Sequence, residues 1–210
     1  TGVRPAREIS GDLYDFFRQG RERAAIALGD VSGKGAAAAL YAALVSGLLR
    51  TLAPNHNRPA KLLKNLNDAL MERRADARFV TLLVLLWQPR TRELRMANAG
   101  GMPPLIWRLG ELYKPRVEGI PLGLLEQREY DELTFAAQPG DLVVLYSDGM
   151  EDQHNPAAEH YGRKRLTRSL GQHWQESPQA IVDATFQDLD QFADGTETFD
   201  DQTLIVMRVK

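Results

Sequence analysis

Residues 11–35, GDLYDFFRQGRERAAIALGDVSGKG, contain the pattern that decides the fold. Two largely apolar runs, Leu13–Phe17 and Ala24–Leu28, flank a short polar stretch, and this arrangement predicts a β-hairpin. An aspartate lies at each outer end of the hairpin, Asp12 before the first strand and Asp30 after the second. Each aspartate directly follows a glycine, whose small size lets another backbone or a metal ion approach closely.

Two helices are predicted directly after this hairpin. Residues 36–52, AAAALYAALVSGLLRTL, are rich in Ala and Leu, which favour a helix, and Pro54 ends the run. A second helix begins near Pro59, a residue suited to the first helical position, and apolar side chains repeat along one of its faces. We expect these two helices to form an antiparallel pair.

The rest of the chain contains strand-like stretches separated by turn signals. These stretches are 79–87, 93–98, 105–108, 112–114, 130–136 and 142–146, followed by a helix from Ser177 to about Phe192 and a strand over Thr203–Val209. Helices in two groups around a long run of strands indicate an α+β protein with mainly antiparallel sheet. Because no Pro-, Gly- or Ser-rich linker interrupts the chain, we expect residues 1–210 to form a single domain.

The composition excludes several classes of protein. The 210 residues are 43% hydrophobic and 26% charged, as in globular proteins, and the net charge of −2 without a basic block gives no support to nucleic acid as a partner. The longest apolar runs, Val80–Trp87 and Ala36–Leu49, are shorter than the roughly 18–20 residues of a membrane span, so we expect no membrane contact.

The chain begins with Thr1, and we expect it to be part of a longer protein with an N-terminal regulatory region.

Four aspartates lie at the ends of predicted strands. The chain has no cysteine, so a metal ion would have to bind through oxygen or imidazole. Asp-Gly and strand-end Asp are also ordinary turn formers, which is the structural alternative for each position taken alone. Four together are less readily explained as turns, because strand ends of one sheet system can converge in space, and these four are Asp12, Asp30, Asp148 and Asp200.

Five blocks of sequence resemble the signature blocks of one enzyme family, in the same order along the chain. The blocks are 8–15 (EISGDLYD), 29–35 (GDVSGKG), 98–100 (NAG), 145–151 (LYSDGME) and 200–203 (DDQT). The chain thus resembles the bacterial PPM-type (type-2C-like) metal-dependent serine/threonine phosphatases, in the branch of sporulation stage II protein E and the stress-response phosphatases. Two departures are Ser10, where relatives have the first Gly of Gly-Gly-Asp, and Gly101-Met102 after the third block.

The resemblance implies a fold and a metal site. The fold is a four-layer αββα sandwich of two antiparallel sheets flanked by helix pairs. The implied cofactor is two Mn²⁺ or Mg²⁺ ions, held by Asp12, Asp30, Asp148 and Asp200, with Asp30 bridging both ions and the Val31 carbonyl adding an oxygen. The chemistry agrees, because these hard cations prefer oxygen ligands and four carboxylates balance the charge of two divalent ions.

Three further residues are candidates near that site. Arg7 stands where the resemblance would allow an arginine that contacts the phosphate, and a solvated surface arginine is the alternative. Asp201 could support Asp200 or act as a further acceptor. Asp15 could order a metal-bound water, and both aspartates could equally lie behind the metal ligands.

The implied activity is that of a cytoplasmic protein-serine/threonine phosphatase in signal transduction that regulates a sigma factor. A hydroxide between the metals would attack phosphorus in line, without a covalent intermediate. The four histidines, His56, His154, His160 and His173, form no recognisable ligand pair by spacing, and the leaving-group acid stays unassigned. The implied substrate is a phosphorylated STAS-domain antagonist of an anti-sigma factor, and a homodimer is left open.

Two other functions compete with this interpretation. Residues 29–35 resemble a phosphate-binding loop, but that motif requires Gly where Leu28 stands and Ser or Thr where Gly35 follows Lys34. The second alternative is a phosphatase fold with weak or no activity that serves as a signalling or binding module. Such a module would be expected to lose metal carboxylates, and all four are present in the sequence.

Overall fold

The computed structural model describes residues 1–6, 10–19, 22–73 and 78–210. Its elements, in chain order, are β1 (Gly2–Arg4), β2 (Asp12–Gln19), β3 (Arg23–Val31), α1 (Ala36–Leu52), a 3₁₀ turn (Ala53–Asn55), α2 (Pro59–Arg73), β4 (Val80–Gln88), β5 (Glu93–Ala99), β6 (Leu105–Arg108), β7 (Glu111–Tyr113), β8 (Leu133–Ala136), β9 (Leu142–Tyr146), α3 (Gly149–Asp152), α4 (Gly162–His173), α5 (Pro178–Ala193) and β10 (Gln202–Arg208). The strands form two five-stranded antiparallel sheets. The predicted α+β class with two antiparallel sheets and helices is confirmed.

The chain divides into two compact units, and each contains one of the sheets. We call Gly11–Pro103 with Pro115–Ala137 the hairpin unit. The terminal unit consists of Thr1–Ser10, Pro104–Lys114 and Gln138–Lys210.

The hairpin unit contains the sheet β2-β3-β4-β5-β8 and the helices α1 and α2. The predicted hairpin is confirmed, since β2 pairs with β3 along the whole length of β2. Side chains alternate between the two faces of a strand, and in β2 Leu13 and Asp15 are buried whereas Tyr14 and Phe16 are exposed. The buried face meets the apolar stripes of the helices in one core, which includes Leu13, Val45, Leu49, Leu62, Leu66, Leu82 and Val84.

Helix α1 has the predicted bounds and a strongly apolar composition. Together with the 3₁₀ turn it forms a continuous helical segment, Ala36–Asn55, of 20 residues, which is long and apolar enough to cross a membrane by length and composition. The sequence analysis ended this apolar run at Leu49 and judged it shorter than a membrane span. That length estimate is wrong, because the helical segment continues to Asn55. Buried Tyr41, Val45 and Leu49 are part of the core of the hairpin unit, and a core helix of this kind meets the same criterion.

The terminal unit contains the sheet β1-β10-β9-β6-β7 and the helices α3, α4 and α5. Strand β9 is buried along its whole length. The predicted start of α5 is correct, because Ser177 is its N-cap and accepts a hydrogen bond from the Ala180 N–H at 3.3 Å. Its apolar face, with Ile181, Phe186 and Leu189, is buried.

Some elements differ from the sequence prediction. Strand β8 begins at Leu133 and not at Tyr130, because its partner β5 pairs with it only over Glu93–Met96. The sequence analysis did not predict β1, α3 or α4. Helix α4 is mostly polar and buries only Leu166, Ser169 and Leu170, so its apolar pattern is weak.

Candidate functional site

Asp12 and Asp30 lie directly opposite each other in the β2–β3 ladder of the hairpin unit. Opposed residues of an antiparallel pair project from the same face with Cβ atoms about 4.5–5.5 Å apart. Two carboxylates at that separation repel each other, so a cation between them would stabilise the pair. The structure therefore brings together the first two predicted metal ligands.

A hydroxyl and a glycine fix the backbone around Asp30. The Asp30 N–H donates to Thr81 Oγ1 at 3.2 Å, and the same hydroxyl donates to the Asp30 carbonyl at 3.3 Å. A Cβ on Gly29 would overlap the Thr81 carbonyl oxygen and lie 2.9 Å from Leu82 Cδ1. Only a glycine therefore lets β3 approach β4 this closely, which supports the predicted role of the small residue before the aspartate.

Asp148 and Asp200 form a second acidic pair, in the terminal unit. Asp148 follows β9 and directly precedes α3, where its carbonyl accepts the N–H of Glu151 at 2.7 Å and that of Asp152 at 2.9 Å. Partial desolvation raises the pKa of the Asp148 carboxyl, and the negative charges of Asp200 and Asp152 raise it further. Both effects disfavour the ionised form, so a bound cation would be favourable here.

Asp201 is held by the N-terminal segment of the terminal unit. Its Oδ1 accepts the Ala6 N–H and its Oδ2 accepts the Ser10 hydroxyl, both at 2.8 Å, and the side chain is almost fully buried. Ser10 is one of the two departures from the family pattern, and a glycine there could not make this bond. Asp201 thus connects the chain before β2 to the segment that carries Asp200, whose Oδ1 accepts the Asp201 N–H at 2.9 Å.

Asp15 lies on the opposite face of β2 from Asp12. Its two carboxylate oxygens accept both Arg50 Nε and Arg50 Nη2 at 2.6 Å, and only 5% of the Asp15 side chain is exposed. Arg50 stands in the last turn of α1. The structure does not bring Asp15 to the face with Asp12 and Asp30, and the ion pair fixes α1 to β2 instead.

The remaining predicted positions are as follows. Val31 is the last residue of β3 and its N–H donates to the Gly11 carbonyl at 3.4 Å. Arg7 lies outside the described residues. Within residues 1–6, 10–19, 22–73 and 78–210, no group of three or more His, Asp or Glu side chains could hold a metal ion. Each unit contains one pair of the predicted carboxylates.

The structure pairs two histidines that their spacing did not suggest as partners. His154 and His160 face each other across an isolated bridge with ring centroids 4.1 Å apart, and Phe199 packs on His154 at 4.8 Å. Since the described residues offer no third ligand there, this stack is a contact between side chains of the terminal unit.

Asn98 has a role that the sequence analysis did not assign, and Gly149, like the glycine before Asp30, allows the close backbone approach expected of a small residue beside an aspartate. The Asn98 side chain donates to the Gly101 and Val117 carbonyls at 2.8 and 3.2 Å and accepts the Gly101 N–H at 2.8 Å, which determines the loop after the third signature block. A Cβ on Gly149 would overlap the Asp201 carbonyl oxygen and lie 3.0 Å from that of Asp200. Both residues lie inside the signature blocks, and this was the feature of the sequence that could have indicated their roles.

Comparisons with known proteins identify relatives of this chain. A protein-family profile described as Stage II sporulation protein E (SpoIIE) matches residues 20–210. The phosphoserine phosphatase RsbU of Bacillus subtilis is 30% identical over 210 residues, covering 98% of this chain and 61% of RsbU. The chain thus spans about three-fifths of that relative.

Two solved structures have the same fold. The SiaA-PP2C domain of Pseudomonas aeruginosa has a TM-score of 0.88 at 21% identity, covering 99% of this chain and 84% of that one. The PP2C phosphatase domain of SpoIIE from Bacillus subtilis, solved with a fragment of its regulatory domain, has a TM-score of 0.84 at 21% identity, covering 99% and 61%. The resemblance to PPM-type phosphatases is confirmed.

Proposed function

Because the chain belongs to the SpoIIE family, we propose that it is a metal-dependent phosphatase that hydrolyses phosphoserine or phosphothreonine in a protein. The observation that carries the proposal is the placement of Asp12 directly opposite Asp30. Like charges at opposed positions of a β-ladder repel each other, so a bound cation would stabilise this pair. Its relative RsbU is a phosphoserine phosphatase, which supports the reaction class.

The acidic residues suit two Mn²⁺ or Mg²⁺ ions. We propose Asp12, Asp30, Asp148 and Asp200 as carboxylate ligands and the Val31 carbonyl as a further donor, all of them oxygen ligands that these cations prefer. The raised pKa of Asp148 supports the proposal, because burial and the negative charges of Asp200 and Asp152 all disfavour its ionised form, and a bound cation would offset these effects. When bound, the ions would activate a water for in-line attack on phosphorus and offset charge on the phosphoryl oxygens.

The residues of this chain have separate roles in that proposal. Asp30, paired with Asp12 and held at its backbone by Thr81, is the proposed bridging ligand. Asp201 holds its own segment to Ala6 and Ser10 and so supports Asp200. Arg7 is the proposed phosphate contact, since a guanidinium matches phosphoryl oxygens in geometry and charge.

The substrate and the setting extend the proposal. We propose a phosphorylated STAS-domain protein that controls an anti-sigma factor as the substrate, an upstream regulatory domain as the controlling partner, and the cytoplasm as the location. Residues 1–210 would then act as one catalytic domain. SpoIIE of Bacillus subtilis has a regulatory domain besides its phosphatase domain, which supports the proposal of an upstream regulatory domain.

The test is hydrolysis of a phosphorylated STAS protein with Mn²⁺ and with excess chelator. We expect Mn²⁺-dependent release of phosphate, and we expect Asp30→Asn to reduce it far more than tenfold, since the substitution removes a charged ligand. The exposed Asp131→Asn is the matched control and should match wild type. Wild-type turnover in Asp30→Asn would refute the metal assignment, and activity unaffected by chelator would refute metal dependence.

A further inference from the structure

The ladder between β9 and β10 ends in an unusual way at Ser147. Tyr146 pairs with Leu204 in the regular ladder, and the Ser147 N–H continues it by donating to the Thr203 carbonyl at 3.0 Å. In a regular hydrogen-bonded pair the Thr203 N–H would donate back to the Ser147 carbonyl. Here it donates to Ser147 Oγ at 2.9 Å, and the Ser147 carbonyl instead accepts the Met150 N–H at 3.1 Å.

The Ser147 hydroxyl therefore replaces a backbone carbonyl in the sheet. This replacement lets the main chain turn out of β9 toward α3 at Asp148 while β10 stays attached to the strand end. A serine hydroxyl has one donor and two acceptor positions, and the donor is also used, since Ser147 Oγ donates to the Asp201 carbonyl at 3.0 Å. The Ser147 side chain thus forms hydrogen bonds with the residue before Gln202 and with the residue after it.

All the groups in this arrangement are away from solvent. Ser147 is 5% exposed, Thr203 is fully buried and Asp201 is 9% exposed. Without the hydroxyl, the Thr203 N–H and the Asp201 carbonyl would lose these partners in a place where water cannot easily substitute. The segment 200–203 would then no longer be joined to the Ser147 side chain by these two hydrogen bonds.

The two segments that the hydroxyl joins carry the two proposed metal carboxylates of the terminal unit. Ser147 directly precedes Asp148, and Asp201 directly follows Asp200. We propose that Ser147 is a positioning residue whose hydroxyl sets the separation of the Asp148 and Asp200 carboxylates. This inference rests on the proposed function, and it assigns Ser147 no contact with metal or substrate.

The experiment compares Ser147→Ala, Ser147→Thr and the control Ser169→Ala. Ser169, on α4, is at least as buried as Ser147, so it reports the cost of removing a buried serine hydroxyl away from the segment 200–203. For each variant we would measure Mn²⁺ affinity by electron paramagnetic resonance of free Mn²⁺, the melting temperature of the metal-free protein, and kcat and KM for a chromogenic phosphoester.

We expect Ser147→Ala to weaken Mn²⁺ binding by about 10–100-fold, the usual effect of losing a residue that orients a metal ligand. Ser147→Thr keeps the hydroxyl and should restore binding, and Ser169→Ala should bind Mn²⁺ like wild type. If Ser147→Ala does not fold, Ser147→Cys replaces it, because a thiol is a similar but weaker hydrogen-bonding group, and we expect a smaller loss of the same kind.

Wild-type Mn²⁺ affinity in folded Ser147→Ala would overturn the inference, and so would equal losses in Ser147→Ala and Ser147→Thr. A fall in melting temperature without a change in Mn²⁺ affinity would also overturn it, because it would show a purely structural role. A wild-type chain that binds Mn²⁺ but hydrolyses no phosphoester refutes the proposed phosphatase activity alone, and the binding comparison still decides the role of Ser147. A wild-type chain that binds no Mn²⁺ refutes both.

Discussion

Replacing Gly149 by alanine should damage the acidic pair of the terminal unit without touching a carboxylate. Gly149 is the first residue of α3, and its φ angle lies outside the region that is special to glycine, so the cost of a methyl group there is steric. The new Cβ would overlap the Asp201 carbonyl oxygen and lie 2.9 Å from the Asp201 carbonyl carbon and 3.0 Å from the Asp200 carbonyl oxygen. Non-bonded carbon atoms prefer about 3.5–4.0 Å.

The size of the effect follows from these contacts. The neighbours are backbone atoms, so the segment carrying Asp200 and Asp201 has to retreat from α3 by about 1 Å, a misplacement that can cost around 100-fold in rate. Inserting a methyl group into a packed site also costs about 1–3 kcal/mol of stability. At about 2–4 °C per kcal/mol for a chain of this length, the melting temperature should fall by several degrees.

The assay measures thermal unfolding, Mn²⁺ affinity and turnover of a chromogenic phosphoester for Gly149→Ala beside Gly47→Ala. Gly47 lies in α1 with open space at its Cβ position, so alanine there should stabilise the protein by about 0.5–1 kcal/mol and leave turnover unchanged. Wild-type melting temperature and turnover in Gly149→Ala would contradict this prediction, because α3 would then accommodate a methyl group beside the segment that carries Asp200 and Asp201.

Two further predictions concern the metal-free protein. Mn²⁺ that binds only the folded state should raise the melting temperature, and at a Mn²⁺ concentration of 100 Kd the stabilisation should be about 2.7 kcal/mol. A melting curve that is the same in millimolar Mn²⁺ and in excess chelator would contradict a site of clustered carboxylates. Asp148→Asn should melt higher than wild type in chelator at neutral pH, because a carboxyl whose pKa is raised on folding destabilises the folded state once it is ionised. This difference should shrink as the pH falls toward the usual pKa of 3.8, and thermal scans from pH 4 to 7 that show a constant difference would contradict it.

Local sequence patterns were sufficient to predict much of the secondary structure. The hairpin β2–β3, the bounds of α1, the Pro59 start of α2 and the Ser177 cap of α5 all follow from neighbours in sequence, because hydrogen bonds in hairpins and helices join nearby residues. The opposed placement of Asp12 and Asp30 also follows from the hairpin, once its register is fixed by the turn and the buried face.

Contacts between distant residues were decided only by the tertiary structure. Asp15 was a candidate for ordering a metal-bound water, but its strand position faces α1, where Arg50 neutralises it. Ser10 departs from the family pattern, and only the tertiary structure shows that its hydroxyl donates a hydrogen bond to Asp201, 191 residues away. Ser147 likewise meets Asp201 and Thr203 only because β10 returns beside β9. Residue type sets which bonds a side chain can make, and long-range packing decides which partner it meets.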